Sequence, residues 1–494
     1  MKLKGRFLCL LLSLILILTL FTGCSDTKDA YIYFELPEAP LTLDPQTAST
    51  DSELLIIRNI NEGLLRKNEK GEIVCGLAES YQKNGLTYTF TLRKNAKWAR
   101  GEKITADDFV FAFKRAVDPK TKAPFVSRLY SIAGAMEINN GSATLDTLGV
   151  KAIDDRTLSI TLKSEDSRFL ETLTTSIAMP CNEEFFYETA GKYGLFADSI
   201  QSSGSYRISR WRKETFGIRL YKNEDYKGFA EAQNAAVFIT CNKDEPALQK
   251  LQKNSIDMAF IDSSLTDTAN ESGLKTLEFQ NICWFLTLGN DFSANMRKAL
   301  AMMVGGEIYS GSLATGYSVA TSVFPDALSD NNIPTGMTLY NAENAKKLYL
   351  QELEHYEGKK FPSDVKLYYY DDGNVKNIAT DIVGHWQSNL SAFVNIEAVS
   401  ESSLLIPQLT DQSYKMSLFP VRADSNSPAE YLKKFGINYN GESLADIQTN
   451  LLKSNKILPI MFQNTVISYS PALSHVYSEL GNGYVDFAFI VKSE

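Results

Sequence analysis

Histidine is scarce in this chain of 494 residues. The three present, His355, His385 and His475, are too far apart to form a local metal-binding or triad motif. Cysteine is nearly as rare. Beyond Cys9 and Cys24 only Cys75, Cys181, Cys241 and Cys283 remain, with no C-x-x-C among them, which excludes zinc-ribbon and thioredoxin-type sites. Four thiols spread over so long a chain read as small buried apolar side chains, not as a disulfide framework. No Gly-x-Ser-x-Gly occurs. The stretch from Gly306 to Ser312 has P-loop glycine spacing but lacks the lysine that would reach a phosphate, so it reads as a turn. The pairs Asp107-Asp108 and Asp154-Asp155 read as solvated helix starts and turns. No run of Lys and Arg interleaves with aromatics, and 50 basic against 59 acidic side chains leave a net charge of −9, so nucleic acid is excluded as a partner. The residues support neither an enzyme nor a metal nor a cofactor. Internal repeats and low-complexity blocks are also missing.

The chain does have ample apolar material, 44% hydrophobic and 11% aromatic. A single core stops growing near about 250–300 residues, so a chain of this length is expected to fold as two or three lobes with a cleft between them. The N-terminus is distinct: Lys2, Lys4 and Arg6 precede an apolar run from Phe7 to Phe21, then Thr22-Gly23-Cys24. A basic region, a short hydrophobic region and small residues form an export signal, and the run falls short of the roughly 20 residues a membrane span needs. Thr-Gly-Cys resembles the bacterial lipobox, in which cleavage precedes the cysteine and its thiol carries diacylglycerol. That resemblance implies a signal over residues 1–23 and a lipid-anchored linker over 24–30, with the chain tethered at Cys24 to the extracytoplasmic face of the cell membrane. Loss of Lys2, Lys4 and Arg6 leaves 47 basic against 59 acidic side chains, a net of −12.

Strand and helix signals alternate. Thr87, Thr89 and Thr91 interleave with Tyr88, Phe90 and Leu92, the period of a strand covered on one face, and Thr157 to Leu162 repeats it. Between them Thr105 and Asp108 have capping-box spacing, which predicts a helix from Thr105 to about Asp118-Pro119. Asn341 is placed to cap a helix carrying Ala345, Leu348, Tyr349 and Leu353 and ended by Gly358. A strand Val365–Tyr370 and a helix through Val375, Ile378, Ile382, Trp386 and Leu390 come next. The fold class expected is α/β.

Taken in order, the motifs resemble family 5 of the extracellular solute-binding proteins of ABC importers, in its oligopeptide-binding branch. They comprise Leu43-Asp44-Pro45, Asn61-Glu62-Gly63-Leu64-Leu65, Leu77-Ala78-Glu79-Ser80-Tyr81, Lys97-Trp98 and Thr105-Ala106-Asp107-Asp108-Phe109, with Leu148 to Asp155 typical of the oligopeptide branch. Gly204-Ser205-Tyr206, Trp211 and Arg297-Lys298-Ala299-Leu300 continue in family order. The resemblance implies a two-lobed periplasmic-binding-protein-like fold of type II, the large variant with an extra subdomain. Residues 31–55, 165–278 and 466–494 are assigned to lobe I, 56–164 to the extra subdomain and 279–465 to lobe II.

It also implies a function: capture of short peptides between the lobes and delivery to the transmembrane subunits of an ABC permease, by a monomer that performs no chemistry. Ala423-Asp424-Ser425-Asn426 occupies the place where relatives pair an Asp with the peptide's α-ammonium, so Asp424, with Ala423, Val421, Asn426 and Ser203, forms the expected ligand site. A desolvated carboxylate facing an ammonium makes a charge-assisted hydrogen bond that fixes the peptide's N-terminus. Two departures bear on the ligand. Pro420-Val421 replaces the usual Gly-Trp, and Ser203 stands where relatives often carry Asn. Cys283 matches half of a disulfide found in some relatives, but Arg422 takes the other half's place. The alternatives are a binding protein of the same fold for a sugar, a metal chelate or a wall-derived peptide, and a degenerate sensor lipoprotein.

Overall fold

The computed structural model describes residues 30–213, 216–289, 291–326, 328, 340–370, 374–399, 416–423, 428–437, 439, 442–478 and 484–493. The first elements are strand β1 (Tyr31–Glu35) and helix α1 (Asp51–Ile60). A small antiparallel sheet comes next, formed by β2 (Ala78–Asn84), β3 (Thr87–Leu92), β4 (Val150–Asp154) and β5 (Thr157–Thr161) in the order β2-β3-β5-β4, with helix α2 (Ala106–Val117) packed on it. The threonine alternation does what its period demands: Tyr88, Phe90 and Leu92 are buried and the threonines between them half-buried. Helix α2 begins where expected, with the Thr105 N–H donating to Asp108 Oδ2 at 2.8 Å. Asp108 itself is not a solvated helix start. It is buried, and it also accepts from Trp98 Nε1 at 3.3 Å and Asn182 Nδ2 at 3.1 Å. Fully buried Trp98 needed an acceptor for its indole N–H, and Asp108 supplies it.

The remaining strands are β6 (Tyr206–Arg212), β7 (Gly217–Lys222), β8 (Ala236–Thr240), β9 (Met258–Ile261), β10 (Lys275–Leu288), β11 (Lys366–Tyr370), β12 (Asn395–Val399), β13 (Met416–Arg422) and β14 (Ile457–Tyr469). With β1 they form one sheet in the order β12-β11-β13-β10-β14-β9-β1-β8-β7-β6, and Tyr317–Val319 adds to β14. Pairing is parallel where β1 meets β8 and β9 and where β11 meets β12 and β13, and antiparallel at the other joints.

The apolar side chains segregate into separate cores, as a chain of this length requires. One core runs from Leu64 to Ala178 around Trp98 and Phe113. A second joins Ile32–Ile60 to Met179–Phe279 and Ile467–Ile490. Two adjoining clusters hold residues between Ile282 and Phe462, including Trp284, Trp386 and Tyr431. We call the second region lobe I, the first its subdomain and the third lobe II.

Two local expectations are corrected. Gly306–Ser312 is helical, one α turn over Gly306–Tyr309 continued as a 3-10 turn over Ser310–Ser312. The helix capped by Asn341 ends at Leu353, and Gly358 (φ 63°) instead makes a separate tight turn at Glu357–Lys359.

Candidate ligand cleft

Strands β10 and β14 are long because each belongs to both lobes. Leu277 and Phe279 of β10 pack in lobe I while Ile282, Trp284 and Leu286 pack in lobe II; on β14, Ile467 belongs to lobe I and Ile460 to lobe II. The register slips between Gln280 and Ile282, at the point where β10 changes lobe. A bulge here leaves Asn281 outside the ladder, bends the strand and re-aims the residues beyond it. Buried Asn281 needs other partners and has them: its side-chain oxygen accepts from Thr465 Oγ1 at 2.7 Å, and its carbonyl from the Ala423 N–H at 2.8 Å. The chain leaving β13 is thereby pinned to the crossing between lobes.

Across from it stands the N-terminus of α1. Four backbone N–H groups, of Leu41, Thr42, Ser49 and Thr50, donate at 2.9–3.0 Å to the buried carboxylate of Glu53, which folds the preceding loop against the helix. Thr50 caps the helix, so Asp51 is its first residue, where the helix dipole favours a carboxylate. Arg422 of lobe II reaches this carboxylate, Nη1 to Asp51 Oδ2 at 3.2 Å, while its own carbonyl accepts from Lys434 Nζ at 2.8 Å. A second contact spans the gap: the guanidinium of Arg168, in the subdomain, lies 5.2 Å from the centre of the Tyr439 ring in lobe II.

Of the expected site residues, Ala423 is buried at the crossing; Val421 is buried too, opposite Cys283 in the ladder and packed in the cluster with Phe285, Phe419 and Tyr431. Pro420 is accommodated because the pairing of β13 with β11 ends at Leu418, so no partner on that edge needs its missing N–H. Ser203 lies in lobe I with no exposed surface. Its N–H donates to the Ile60 carbonyl at 3.1 Å and its hydroxyl accepts from the Glu62 N–H at 3.0 Å, closing the C-terminus of α1. It thus packs within lobe I and offers no surface to the cleft. Asp424, Asn426 and Cys24 lie outside the described residues. Sequence reasoning passed over Asp51 and Asn281, and it noticed Arg422 only as a missing half-cystine. No local spacing could have shown a pair 371 positions apart.

Two cavities lie elsewhere. One, of about 260 Å³, sits at the carboxyl ends of β1 and β8 between Glu35, Asn242, Pro246 and Phe260. Glu35 there is already held by Lys250 at 2.7 Å. The other, of about 410 Å³, lies in lobe II against Glu307, Asp381 and His385. Neither is lined by Ala423, Arg422 or Asp51. Among the described residues the four cysteines are free thiols. Burial pushes the Cys181 thiol up to about 12 and the Cys283 thiol well above its ordinary value, so neither is a nucleophile at neutral pH. Among the described residues no cluster of three or more His, Cys, Asp or Glu side chains could hold a metal ion, and no helix is long and apolar enough to cross a membrane.

Two lobes strung on paired crossing strands define a clamp, and comparison with known proteins agrees. The family model described as bacterial extracellular solute-binding proteins, family 5 Middle, matches residues 72–443. The chain belongs to this family. Among characterised proteins it is similar to the oligopeptide-binding protein OppA of Bacillus subtilis (strain 168), 28% identical over 433 residues, covering 84% of this chain and 79% of the relative. It is also similar to the periplasmic murein peptide-binding protein MppA of Escherichia coli (strain K12), 28% identical over 424 residues, covering 82% and 78%. Among solved structures, OppA of Burkholderia pseudomallei superposes with a TM-score of 0.76 at 20% identity, over 95% of this chain and all of that one. The fold is the two-lobed α/β fold of the periplasmic binding proteins.

Proposed function

We propose that the chain is a lipid-anchored extracytoplasmic binding protein that captures short peptides between its lobes and delivers them to an ABC permease. It works as a monomer, performs no chemistry and uses no cofactor. The observation that supports this reading is the Ala423 N–H bonded to the Asn281 carbonyl at 2.8 Å, which ties the end of β13 to the crossing between the lobes. In this reading Asp424 binds the peptide's α-ammonium, Asn426 and the neighbouring backbone pair with the peptide main chain, and Cys24 carries the lipid. A ligand touching both lobes stabilises the closed state by its differential affinity, and the closed form is the one the permease receives.

The test is thermal unfolding of the chain beginning at Ser25, refolded free of copurified ligand, with short peptides bearing free or acetylated N-termini. A ligand at about 100 times its Kd adds roughly 2.7 kcal/mol. A stabilisation by free-amine peptides alone, abolished by Asp424→Ala, is the expected result. If no peptide stabilises the chain, the second reading takes over, a non-peptide solute such as a sugar or metal chelate. The burial of Val421 in lobe II, where relatives carry a tryptophan, favours it.

A further inference from the structure

At the lobe I end of the large sheet, strands β7, β8 and β1 alternate between two faces, and β6 does so on either side of a bulge between Ile208 and Arg210. One face sends Ile208, Leu220, Val237, Ile32, Ile218, Ile239 and Phe34 into the lobe I core. The register places Arg210, Arg219, Phe238 and Tyr33 side by side across the four strands on the opposite face, with Arg207, Tyr221 and Tyr31 in the adjacent row and Arg212 one row beyond. That face is open: all four arginines are exposed, Tyr31 is 39% and Tyr33 43% exposed. Among the described residues no carboxylate pairs with Arg207, Arg210, Arg212 or Arg219, and Arg210 stands directly across from Arg219, an arrangement that costs stability unless an anion answers it. Of the acids on this face, Asp257 is taken by the Tyr33 N–H at 2.8 Å and Lys492 Nζ at 2.7 Å, and Glu35, in the row of Arg212, by Lys250 Nζ at 2.7 Å. Arg219 lies over the Phe238 ring, 5.3 Å from its centre, a cation–aromatic contact that leaves its charge unanswered by a carboxylate among the described residues.

We propose that this cationic, aromatic sheet face docks on an anionic lipid surface. Charge complementarity is one argument: four arginines with no carboxylate partner among the described residues share one face of a chain whose net charge is −9. The tyrosines are a second, because aromatic rings with a polar tip settle at the headgroup level of a bilayer, whereas a soluble polyanion gives them no such niche. The third is reach, and it rests on the lipid-anchor reading: Cys24 to Tyr31 is seven residues, at most about 25 Å of extended chain, so the lipid would hold this face close to the membrane. Docking there would orient the lobes relative to the bilayer.

The test uses the chain beginning at Ser25, which retains every described residue and has no lipid, so the result is independent of whether Cys24 is acylated or peptides bind. Cosedimentation is measured with vesicles of phosphatidylcholine and with vesicles containing about one-third phosphatidylglycerol. The expected result is binding to the anionic vesicles only, lost at high salt, and weakened roughly tenfold or more in Arg210→Glu/Arg219→Glu, whose melting temperature and peptide response stay those of the parent. Tyr31→Ser/Tyr33→Ser weakens binding without changing its salt dependence. No binding, equal binding to neutral vesicles, binding unchanged by the arginine substitutions, or displacement by a trace of soluble polyphosphate would each overturn the proposal.

Discussion

Lobe I with its subdomain and lobe II are held together by different chemistry. On the lobe I side, buried charges are matched to buried charges. Arg115 of α2 forks onto Asp44 at 2.6 and 3.3 Å and onto Gln46 at 2.7 Å, tying the subdomain to the Leu-Asp-Pro turn. Arg66, in a short strand Leu65–Lys67 of the subdomain, bridges Glu62 and Asp486 and lies over Phe229 and Phe489, joining the subdomain to the C-terminal segment. Lys250 sits on Glu35. Within lobe II the ion pairs between described residues, Lys359–Glu354 and Lys366–Glu397, are exposed, and the interior is joined by neutral bonds: Trp386 Nε1 to the Leu300 carbonyl at 3.0 Å, Tyr431 Oη to the Val323 carbonyl at 2.8 Å, and Thr287 with Ser417 at 2.5 Å. A buried ion pair gives little net stability but penalises every arrangement that separates it, so these pairs fix how separate chain segments dock. Lobe I, made of three such segments, needs that; lobe II is nearly continuous in sequence.

The largest effect expected comes directly from this contrast. Arg115→Ala leaves Asp44 buried and unanswered and should cost about 3–5 kcal/mol, whereas Trp386→Phe, which deletes the central neutral bond of lobe II, should cost about 1–2 kcal/mol. Denaturant titration measures both. Replacing the pair together, Asp44→Asn with Arg115→Met, should recover half or more of the Arg115→Ala loss, since no lone charge remains. Equal losses from Arg115→Ala and Trp386→Phe would erase the distinction between the lobes.

Asp108, like Glu53, departs from this pattern on the lobe I side, a buried acid whose donors are all neutral. Burial pushes its carboxyl up to about 6. The unfolded value is near 3.9, so the fold favours the protonated form. The contribution of Asp108 to stability is therefore greatest below pH 3.9 and is lost as the pH rises through 6, a fall of about 3 kcal/mol. Asp108→Asn cannot ionise. Relative to the parent it should gain about that much between pH 4 and pH 7, as urea unfolding at a series of pH values would show. A difference that stays flat with pH would mean Asp108 remains charged, and so has a cation partner as Asp44 and Glu62 do.

The motifs legible in the sequence were those whose cause is local. The threonine alternation of β3, the capping box of α2 and the Asn341 cap, whose side chain accepts from the Asn344 N–H at 3.0 Å, all read correctly, because period and spacing within a dozen residues determine them. The family motifs were legible as motifs but not as physics. Asp44 is kept for an arginine 71 positions away, and Glu62 for Arg66 and for Tyr226, 164 positions away. Gly194 (φ 78°) is required because a Cβ there would lie 2.5 Å from the Asp44 nitrogen. The cleft was the least legible part. The Asn281 bulge leaves no periodic signature, and the residues that meet there come from both lobes.

The smallest effect concerns the one ion pair between described residues that joins the two lobes. Arg422 and Asp51 keep 40% and 27% of their side-chain surface, so water and salt screen them and the pair contributes at most about 1 kcal/mol. Global unfolding will barely register Arg422→Ala. The opening of the clamp is a different measure, because two lobes joined by two strands separate without either core unfolding, and an equilibrium near balance responds several-fold to a change of about 1 kcal/mol. Ligand-free Arg422→Ala should therefore show a larger radius of gyration in solution scattering at low salt, and the parent should approach it as salt is added. Asp51→Ala should match Arg422→Ala, and the double variant should add nothing further. A parent as expanded as the variants would show that the pair does not hold the lobes together, leaving closure to the ligand alone.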